Sequence, residues 1–345
     1  MLEALGQYRI LERLGTGRAG DVYRARDSRA GRTVALRIVP SRIAGDTHRR
    51  DEFLRAARAS AALSHPNIAA IYEIGDTADH LFLVSEYVPG NALATVSAGH
   101  PLNPRHAVDL AIQLADALAV AHAAMVVHGD IRPANIIITP KGNAKFLDFG
   151  FSSPAPAAAE HRHAASLDDG GQVRGDAAYQ SPEQLSGEPE DHRADIFSLG
   201  VVLFEMLTGA LPVAGATTSA AAAHSVQFPV RPTSATAAMR ASELDAILLK
   251  MLAKNPGERY DSAATLAADL RTVAAVLAAR SNEAASSGPA RAAHPRAAAG
   301  RPRRPRAAFW MALALAVVVA GALLVGASGA GERLLSLLPR VWGRG

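Results

Sequence analysis

Apolar and polar positions alternate along the first part of the chain, which is the pattern of half-buried β-strands. Strands are predicted at Tyr8–Leu14, Val22–Arg26, Thr33–Val39, Ile68–Ile74 and His80–Tyr87. Between the third and fourth of these, Asp51–Leu63 has helical spacing. The pattern therefore predicts a sheet with one helix inserted in its sequence.

The middle of the chain has the spacing of amphipathic helices instead. Leucines recur every four residues within Ala107–Ala124, and Ile196–Thr208 and Leu244–Leu252 have similar periodicity. We therefore predict an α+β protein with a β-rich small lobe followed by an α-rich large lobe. This pattern does not by itself indicate a function.

The C-terminal part changes character twice. Residues 276–306 become rich in Ala, Pro, Ser, Gly and Arg, which is typical of a linker. Residues 307–331 carry no charge and are mostly apolar, and about 20 apolar helical residues suffice to cross a bilayer. A buried helix is the alternative, but it would need protein on every side. We predict one transmembrane helix, followed by a short extracytoplasmic tail, residues 332–345.

Arginines flank the predicted span unevenly and indicate its orientation. Four precede it between Arg301 and Arg306, whereas three follow it with Glu332 beside them. The positive-inside rule then places the larger, N-terminal part in the cytoplasm of a single-pass protein of the inner or plasma membrane. The Arg-rich juxtamembrane segment is expected to contact anionic membrane lipids. Small residues in the span permit close helix approach, which leaves a homodimer open.

Composition excludes several kinds of site. The 345-residue chain has no cysteine, which rules out disulfides, zinc–thiolate sites and thiol catalysis. The formal net charge is +4, and six arginines within residues 291–306 make this excess local. The rest of the chain is near charge balance, so no nucleic acid is expected as a partner.

A glycine-rich segment, G-T-G-R-A-G, contains Gly15, Gly17 and Gly20. A dinucleotide-binding fingerprint has the same spelling but opens a helix, whereas the residues that follow here alternate like a strand. A glycine-rich turn between two strands lets backbone amides approach phosphates, and it places Val22 to cover an adenine. The segment therefore favours a nucleotide site of the hairpin type.

Two further motifs carry oxygen-bearing side chains. His128–Ile136 reads H-G-D-I-R-P-A-N-I and places Asp130 and Asn135 five residues apart. The sequence F-L-D-F-G follows, with Asp148 as its carboxylate. Two carboxylates and an amide in one cleft suit a Mg²⁺-bound nucleotide and a hydroxyl nucleophile.

With these motifs in this order, the chain resembles the eukaryotic-type (Hanks-type) Ser/Thr protein kinases of bacteria, as a divergent member. The resemblance covers residues 8–275. Further matching segments are Val34–Arg37, Ser64–Ile68, Tyr179–Gln184, the run D-I-F-S-L-G from Asp195 and the run K-N-P-G-E-R-Y from Lys254. The resemblance implies a two-lobed protein-kinase fold, ATP with Mg²⁺ or Mn²⁺ as cofactors, and protein Ser/Thr hydroxyls as substrates.

The resemblance also implies roles for individual residues. Asp130 would accept or orient the substrate proton, Arg132 would steady the transferred phosphate, and Asn135 and Asp148 would hold the metal. Residues implied in nucleotide binding are Leu14, Gly15, Gly17, Gly20, Val22, Ala35, Arg37, Glu86 and Val88. Residues implied in a buried ion pair and in anchoring the catalytic loop are Glu183, Arg259 and Asp195.

Five positions depart from the family pattern. The strand lysine of the phosphate site is Arg37, and the helix glutamate that would pair with it is Ala56. The arginine of H-R-D is Gly129, the catalytic-loop lysine is Arg132, and the threonine of G-T-x-x-Y is Asp176. Because the lost arginine would read a phosphate on the activation loop, we expect activity to be independent of phosphorylation there.

Arg37 presents a problem of charge, because Ala56 lacks the carboxylate expected beside it. A buried cation without a partner is costly. Glu52 lies one helical turn before Ala56 and therefore on the same helix face. An ion pair between Arg37 and Glu52 is accordingly our hypothesis for how the charge is compensated.

Two functions are compatible with these substitutions. The retained Asp130, Asn135 and Asp148 favour a membrane-anchored Ser/Thr kinase, fully or weakly active. The joint loss of the lysine–glutamate pair favours a pseudokinase that binds nucleotide or acts as a scaffold. A small-molecule phosphotransferase is disfavoured by Tyr179–Gln184, which resembles a segment that shapes a peptide site.

Overall fold

The computed structural model describes residues 3–17, 19–77, 80–150, 175–212 and 242–286. A strand-rich lobe comes first in the chain and a helix-rich lobe follows. The predicted two-lobed α+β architecture is thereby confirmed.

The first lobe is built on a six-stranded antiparallel sheet. Its strands are β1 (Ala4–Leu5), β2 (Tyr8–Gly17), β3 (Gly20–Asp27), β4 (Arg32–Ile38), β5 (Ile71–Asp76) and β6 (Leu81–Glu86). They lie in the order β1-β2-β3-β4-β6-β5. β5 starts later than the predicted Ile68, because residues 67–69 instead make backbone hydrogen bonds with Phe146 of the second lobe. This contact joins the two lobes behind the cleft.

One long helix packs on this sheet. The first lobe contains α1 (Ser41–Ala44) and α2 (Thr47–Ala61). α2 begins before the predicted Asp51 because the Asp46 side chain caps it, accepting a hydrogen bond from the Arg49 N–H at 2.9 Å. The buried cluster between α2 and the strands includes Val39, Phe53, Ala57, Leu81 and Leu83.

The second lobe combines a small sheet with helices. Its strands are β7 (Asn91–Ala92), β8 (Ile136–Ile138) and β9 (Ala144–Phe146). Its helices are α3 (Leu93–Ser97), α4 (Pro104–Ala123), α5 (Pro182–Ser186), α6 (Arg193–Thr208), α7 (Ser242–Met251) and α8 (Ala263–Ser286). Single 3₁₀ turns occur at Pro133–Asn135, Gly175–Tyr179 and Pro256–Glu258. α4 packs against α6 and α8, and its predicted leucine stripe is completely buried there.

A buried ion pair joins the start of α5 to the segment before α8. Arg259 donates to the two carboxylate oxygens of Glu183 at 2.6 and 2.8 Å, and both residues are buried. Burial, the largest single effect, raises the pKa of the Glu183 carboxyl, but the hydrogen bonds and charge of Arg259 together with hydrogen bonds from the Glu183 backbone and Ser181 outweigh it, and the net pKa is lowered. The predicted Glu183–Arg259 pair is therefore confirmed.

The C-terminal end of the described chain differs from the composition-based expectation. α8 continues to Ser286, past residue 276, where we predict the linker to begin. Alanine-rich sequence favours helix, and the first helix-breaking residues are Gly288 and Pro289. No helix within the described ranges is both long and apolar enough to span a bilayer. The predicted span and tail, residues 307–345, lie outside the described residues.

Candidate active site

A cleft of about 490 Å³ lies between the six-stranded sheet and the second lobe. β2, β3, β4 and β6 contribute one wall, and the segments next to β8 and β9 contribute the other. The predicted site residues that line it are Leu14, Gly15, Val22, Ala35, Arg37, Glu86, Val88, Arg132, Asn135 and Asp148. Motifs far apart in the sequence thus converge on one cavity.

The glycine-rich segment is the tip of the hairpin that joins β2 and β3. Gly15 pairs with Val22, and Gly17 pairs with Gly20. A strand follows the last glycine, whereas the dinucleotide-binding fingerprint opens a helix. The hairpin interpretation is therefore confirmed and the dinucleotide interpretation is excluded.

Gly15 and Gly20 have different structural reasons to be glycine. Among the described residues other than its two chain neighbours, no atom lies within 4 Å of the position that a Cβ on Gly15 would occupy, so Gly15 leaves this wall of the cleft open. Gly20 has a φ of +121°, and a Cβ there would lie 1.9 Å from the Ile38 carbonyl oxygen. Close packing of the hairpin on β4 therefore accounts for Gly20 without any ligand.

Arg37 pairs with a carboxylate on the opposite side of the cleft, that of Asp148. Its side chain is 7% exposed and forms an ion pair with the Asp148 carboxylate. Glu52 instead lies 3.6 Å from the His48 ring nitrogen, and within the described residues it makes no ion pair with Arg37. The Arg37–Glu52 hypothesis is therefore wrong. Asp148 reaches Arg37 from the end of β9, so the guanidinium needs no partner on α2.

Asp148 starts a tight turn that projects its carboxylate into the cleft. Its φ is +61°, and Gly150 has a φ of +74°. Aspartate tolerates this left-handed region better than most residues. Between them, Phe149 is buried, with its ring centroid 4.6 Å from that of His128 and 5.4 Å from that of Phe146. The buried phenyl ring fixes the turn while the Asp148 side chain remains 36% exposed.

The catalytic-loop residues form one hydrogen-bonded group. Asn135 Nδ2 donates to Asp130 Oδ2 and to the Asp130 carbonyl oxygen, both at 2.8 Å. Arg132 Nε approaches Asp130 Oδ2 at 3.3 Å. The Leu147 N–H donates to the Asn135 carbonyl oxygen at 2.9 Å, which ties this loop to the Asp148 turn. Asp130, Arg132, Asn135 and Asp148 are thus held in one frame.

Asp195 of α6 anchors the catalytic loop through hydrogen bonds to its backbone. Its carboxylate accepts the N–H groups of His128 and Gly129, each at 2.8 Å, and lies 2.8 Å from His122 Nε2. The predicted anchoring role is confirmed. Gly129 has a φ of +73°, a conformation that glycine adopts without strain. The glycine in place of the expected arginine therefore suits the backbone of the loop.

The segment that connects the lobes is held by a lysine. Lys145 Nζ lies 2.7 Å from both carboxylate oxygens of Glu86, and Glu86 Oε2 also accepts the Ala70 N–H at 3.2 Å. The Glu86 side chain is therefore bound to Lys145 of β9 and to Ala70, the residue before β5. The Glu86 N–H donates to the Ala70 carbonyl oxygen at 2.8 Å, so the Glu86 carbonyl oxygen and the Val88 backbone are left to meet a ligand in the cleft.

Sequence reasoning missed four residues that hold the site together. They are Ser60, His122, Lys145 and Gln184. Gln184 Nε2 donates to the Gly129 carbonyl oxygen at 3.0 Å. The scarcity of lysine was a usable signal for Lys145, since the chain has only four lysines. The other three contacts join distant segments and left no local pattern.

The oxygen donors of the cleft fit a hard divalent cation. The side-chain NH₂ group of Asn135 donates to Asp130. The side-chain oxygen of Asn135 is then available as a metal ligand, beside the partly exposed Asp148 carboxylate. Carboxylate and amide oxygens are the ligands that Mg²⁺ prefers. Asp176 lies in the 3₁₀ turn Gly175–Tyr179, but its side chain falls outside what is described, as does the activation-loop segment 151–174.

Residues 8–270 match the protein kinase domain family. The chain is 36% identical over 268 residues to serine/threonine-protein kinase PrkC of Bacillus subtilis (strain 168), covering 77% of this chain and 40% of PrkC. It is 39% identical over 269 residues to serine/threonine-protein kinase PknB of Mycolicibacterium smegmatis, covering 76% of this chain and 42% of PknB. The chain thus spans less than half the length of these relatives.

A solved structure is also similar. The PknI kinase domain of Mycobacterium tuberculosis covers 78% of this chain and 97% of its own length, with a TM-score of 0.58 and 24% sequence identity. At this identity the likeness shows the fold alone. It agrees with the two-lobed arrangement described above.

Gly15 and Gly20 of the hairpin should respond differently to substitution by alanine. Gly20→Ala should lower the free energy of unfolding by about 1–3 kcal/mol, because it forces a strained φ and a clash with β4. Gly15→Ala is the matched control and should leave stability unchanged. Denaturant unfolding of both variants measures this, and equal stabilities would contradict the packing role of Gly20.

Proposed function

Since this chain belongs to the protein kinase family, we propose that it is a membrane-anchored Ser/Thr protein kinase that transfers the γ-phosphate of ATP to protein hydroxyls. One observation supports this above the others. Asn135 holds Asp130 by a 2.8 Å hydrogen bond and lines the same cavity as Asp148. A proton acceptor is therefore bonded to one of two metal ligands that share a cavity.

The nucleotide would lie under the glycine-rich hairpin. Leu14, Val22 and Ala35 line the cavity and would cover the apolar faces of the adenine ring, while the backbone of Glu86 and Val88 meets its polar edge. The hairpin amides and the Arg37 guanidinium are the donors available to the phosphates. Gly15 leaves the room that this approach needs.

Asn135 and Asp148 would hold Mg²⁺ or Mn²⁺ through their side-chain oxygens. The bound metal neutralises phosphate charge in family members. Asp148 must then give up part of its contact with Arg37, whose guanidinium becomes free to face the phosphates. Arg37 would thus serve as a counter-ion for Asp148 before nucleotide binds and as a phosphate ligand afterwards.

Asp130 would orient the substrate hydroxyl and accept its proton. The described donors to its carboxylate, Asn135 and Arg132, both approach Oδ2, so we assign Oδ1 to the substrate. A general base must lie within hydrogen-bond reach of the proton it removes. Arg132, held at Asp130, would place a positive charge next to the transferred phosphate.

A pseudokinase is the second candidate, and one observation favours it. The pair normally expected between strand and helix is absent, since Ala56 has no carboxylate and Arg37 binds the metal ligand Asp148 instead. If Asp148 stays with Arg37, the cleft would bind nucleotide without productive metal. The chain would then act as a binding or scaffold module in signalling.

We also propose the substrate class and the membrane attachment of this chain, which spans under half the length of PrkC and PknB. Protein Ser/Thr side chains are proposed as acceptors. The apolar sequence of residues 307–331 supports a single-pass anchor with the kinase part on the cytoplasmic side. The arginines before it would contact anionic lipids.

The kinase proposal predicts phosphate transfer by the full chain in detergent, assayed with radiolabelled ATP, Mg²⁺ or Mn²⁺ and a generic basic protein. Asp130→Asn should lower kcat by about 10²–10⁴-fold with little change in KM for ATP, because Asp130 does not line the nucleotide cavity. Asp116→Asn, a matched change at an ion pair on α4, should leave both constants unchanged. Asp148→Ala supplies the blank, and wild-type signal equal to that blank would favour the pseudokinase.

The anchor proposal predicts that the full chain sediments with membranes and resists extraction by high salt. A chain that stops after residue 306 should keep the arginines but shift to the soluble fraction. Fractionation of expressing bacteria, read by immunoblot, measures this. Salt-resistant sedimentation of the shortened chain would place the anchor elsewhere.

A further inference from the structure

A buried serine connects α2 to the turn that carries Asp148. Ser60 is 3% exposed, and its hydroxyl donates to the Phe149 carbonyl oxygen at 2.9 Å. The residues lie 89 positions apart in the chain. Because a buried hydroxyl and a buried carbonyl both need a partner, this bond favours one placement of the helix relative to the turn.

The fit between helix and turn is close at this point. A Cβ on Gly150 would lie 2.7 Å from the Ser60 hydroxyl oxygen, and the φ of Gly150 is +74°. Phe149 is held from the other side by the ring of His128. Ser60 therefore contacts the turn Asp148–Gly150, whose conformation is already restricted by these contacts.

Among the described residues, neither carboxylate of α2, Asp51 or Glu52, makes an ion pair with Arg37. Ala56 lies one turn before Ser60, and Arg37 is paired with Asp148 rather than with α2. β4 and α2 are therefore connected through the Asp148–Gly150 turn rather than by a direct ion pair. β4 is joined to the Asp148–Gly150 turn by the ion pair of Arg37, and the turn is joined to α2 by the hydroxyl of Ser60.

We propose that Ser60 is a positioning residue for Asp148, which acts by fixing the Phe149 carbonyl and so the turn that presents the metal-binding carboxylate. This rests on the proposed function, since it assumes that Asp148 binds a nucleotide-associated cation. Ser60 lines the cavity, but its hydroxyl proton is used by the Phe149 carbonyl oxygen, so its role is to position the turn. It takes over from the missing carboxylate of Ala56 the task of linking α2 to the site.

The proposal predicts a selective defect in Ser60→Ala. ATP affinity should be measured by calorimetry on the full chain, once with Mg²⁺ and once with EDTA. Loss of one buried hydrogen bond should weaken binding of ATP with Mg²⁺ about three- to tenfold, while ATP in EDTA binds as to wild type. A merely structural defect would weaken both alike.

Ser97→Ala is the matched control. Ser97 is also 3% exposed, and its hydroxyl donates to the Leu93 carbonyl oxygen at 3.0 Å within α3, away from Asp148. This variant should keep the Mg²⁺ dependence of wild type. If Ser60→Ala keeps it too, or loses affinity equally with and without Mg²⁺, the proposal is overturned.

Amide hydrogen exchange of α2 in the ligand-free chain gives a readout that does not depend on the proposed function. Ser60→Ala should speed exchange in residues 47–61 relative to wild type and Ser97→Ala. If wild type binds no nucleotide, the kinase proposal fails while this comparison still decides whether Ser60 holds the helix. Unchanged exchange in Ser60→Ala would overturn the linkage.

Discussion

The carboxylate of Asp195, on the buried helix α6, accepts the N–H groups of His128 and Gly129 and contacts the ring of His122. A carboxylate group that is 1% exposed needs such hydrogen-bond donors around it, because a buried polar group without partners is costly. The same hydrogen bonds that stabilise the Asp195 carboxylate also fix the backbone of His128 and Gly129, which leads into Asp130. Hydrogen bonds from Asn135 to Asp130 and from Leu147 to Asn135 extend this order to Asp148. The geometry of the cleft therefore originates in the core of the second lobe.

The first lobe meets this frame at Asp148. A guanidinium is a bulkier and more rigid donor than an ammonium group, with donors arranged as a planar fork. Arg37 uses this reach to bind Asp148 across the cleft, so Ala56 leaves no uncompensated buried cation. The consequence is that a metal ligand also serves as a counter-ion. Any ligand that recruits Asp148 must supply Arg37 with another anion, and nucleotide phosphates have that charge.

Much of the fold was predictable from the sequence because its signals are local. The leucines of α4 repeat at helical spacing and are all buried, and the hairpin follows from a strand on each side of the glycines. Ala35, Glu86 and Asp148 reach one cavity as the family resemblance implies. The sequence did not reveal the partner of Arg37, because intrahelical spacing favoured Glu52, whereas the carboxylate that pairs with Arg37 comes from the turn after β9. Gly129 likewise reads as a lost arginine until its positive φ is known.

Mg²⁺-dependent binding of ATP tests the central claim most directly, because it asks whether the Arg37–Asp148 pair opens to admit a cation. Calorimetric titration of ATP into the full chain, with and without Mg²⁺, should be compared between wild type and Asp148→Ala. Wild type should bind ATP more tightly with Mg²⁺, and Asp148→Ala should lose that gain. Equal affinity with and without Mg²⁺ in wild type would show that Asp148 remains a counter-ion for Arg37, and would contradict the account.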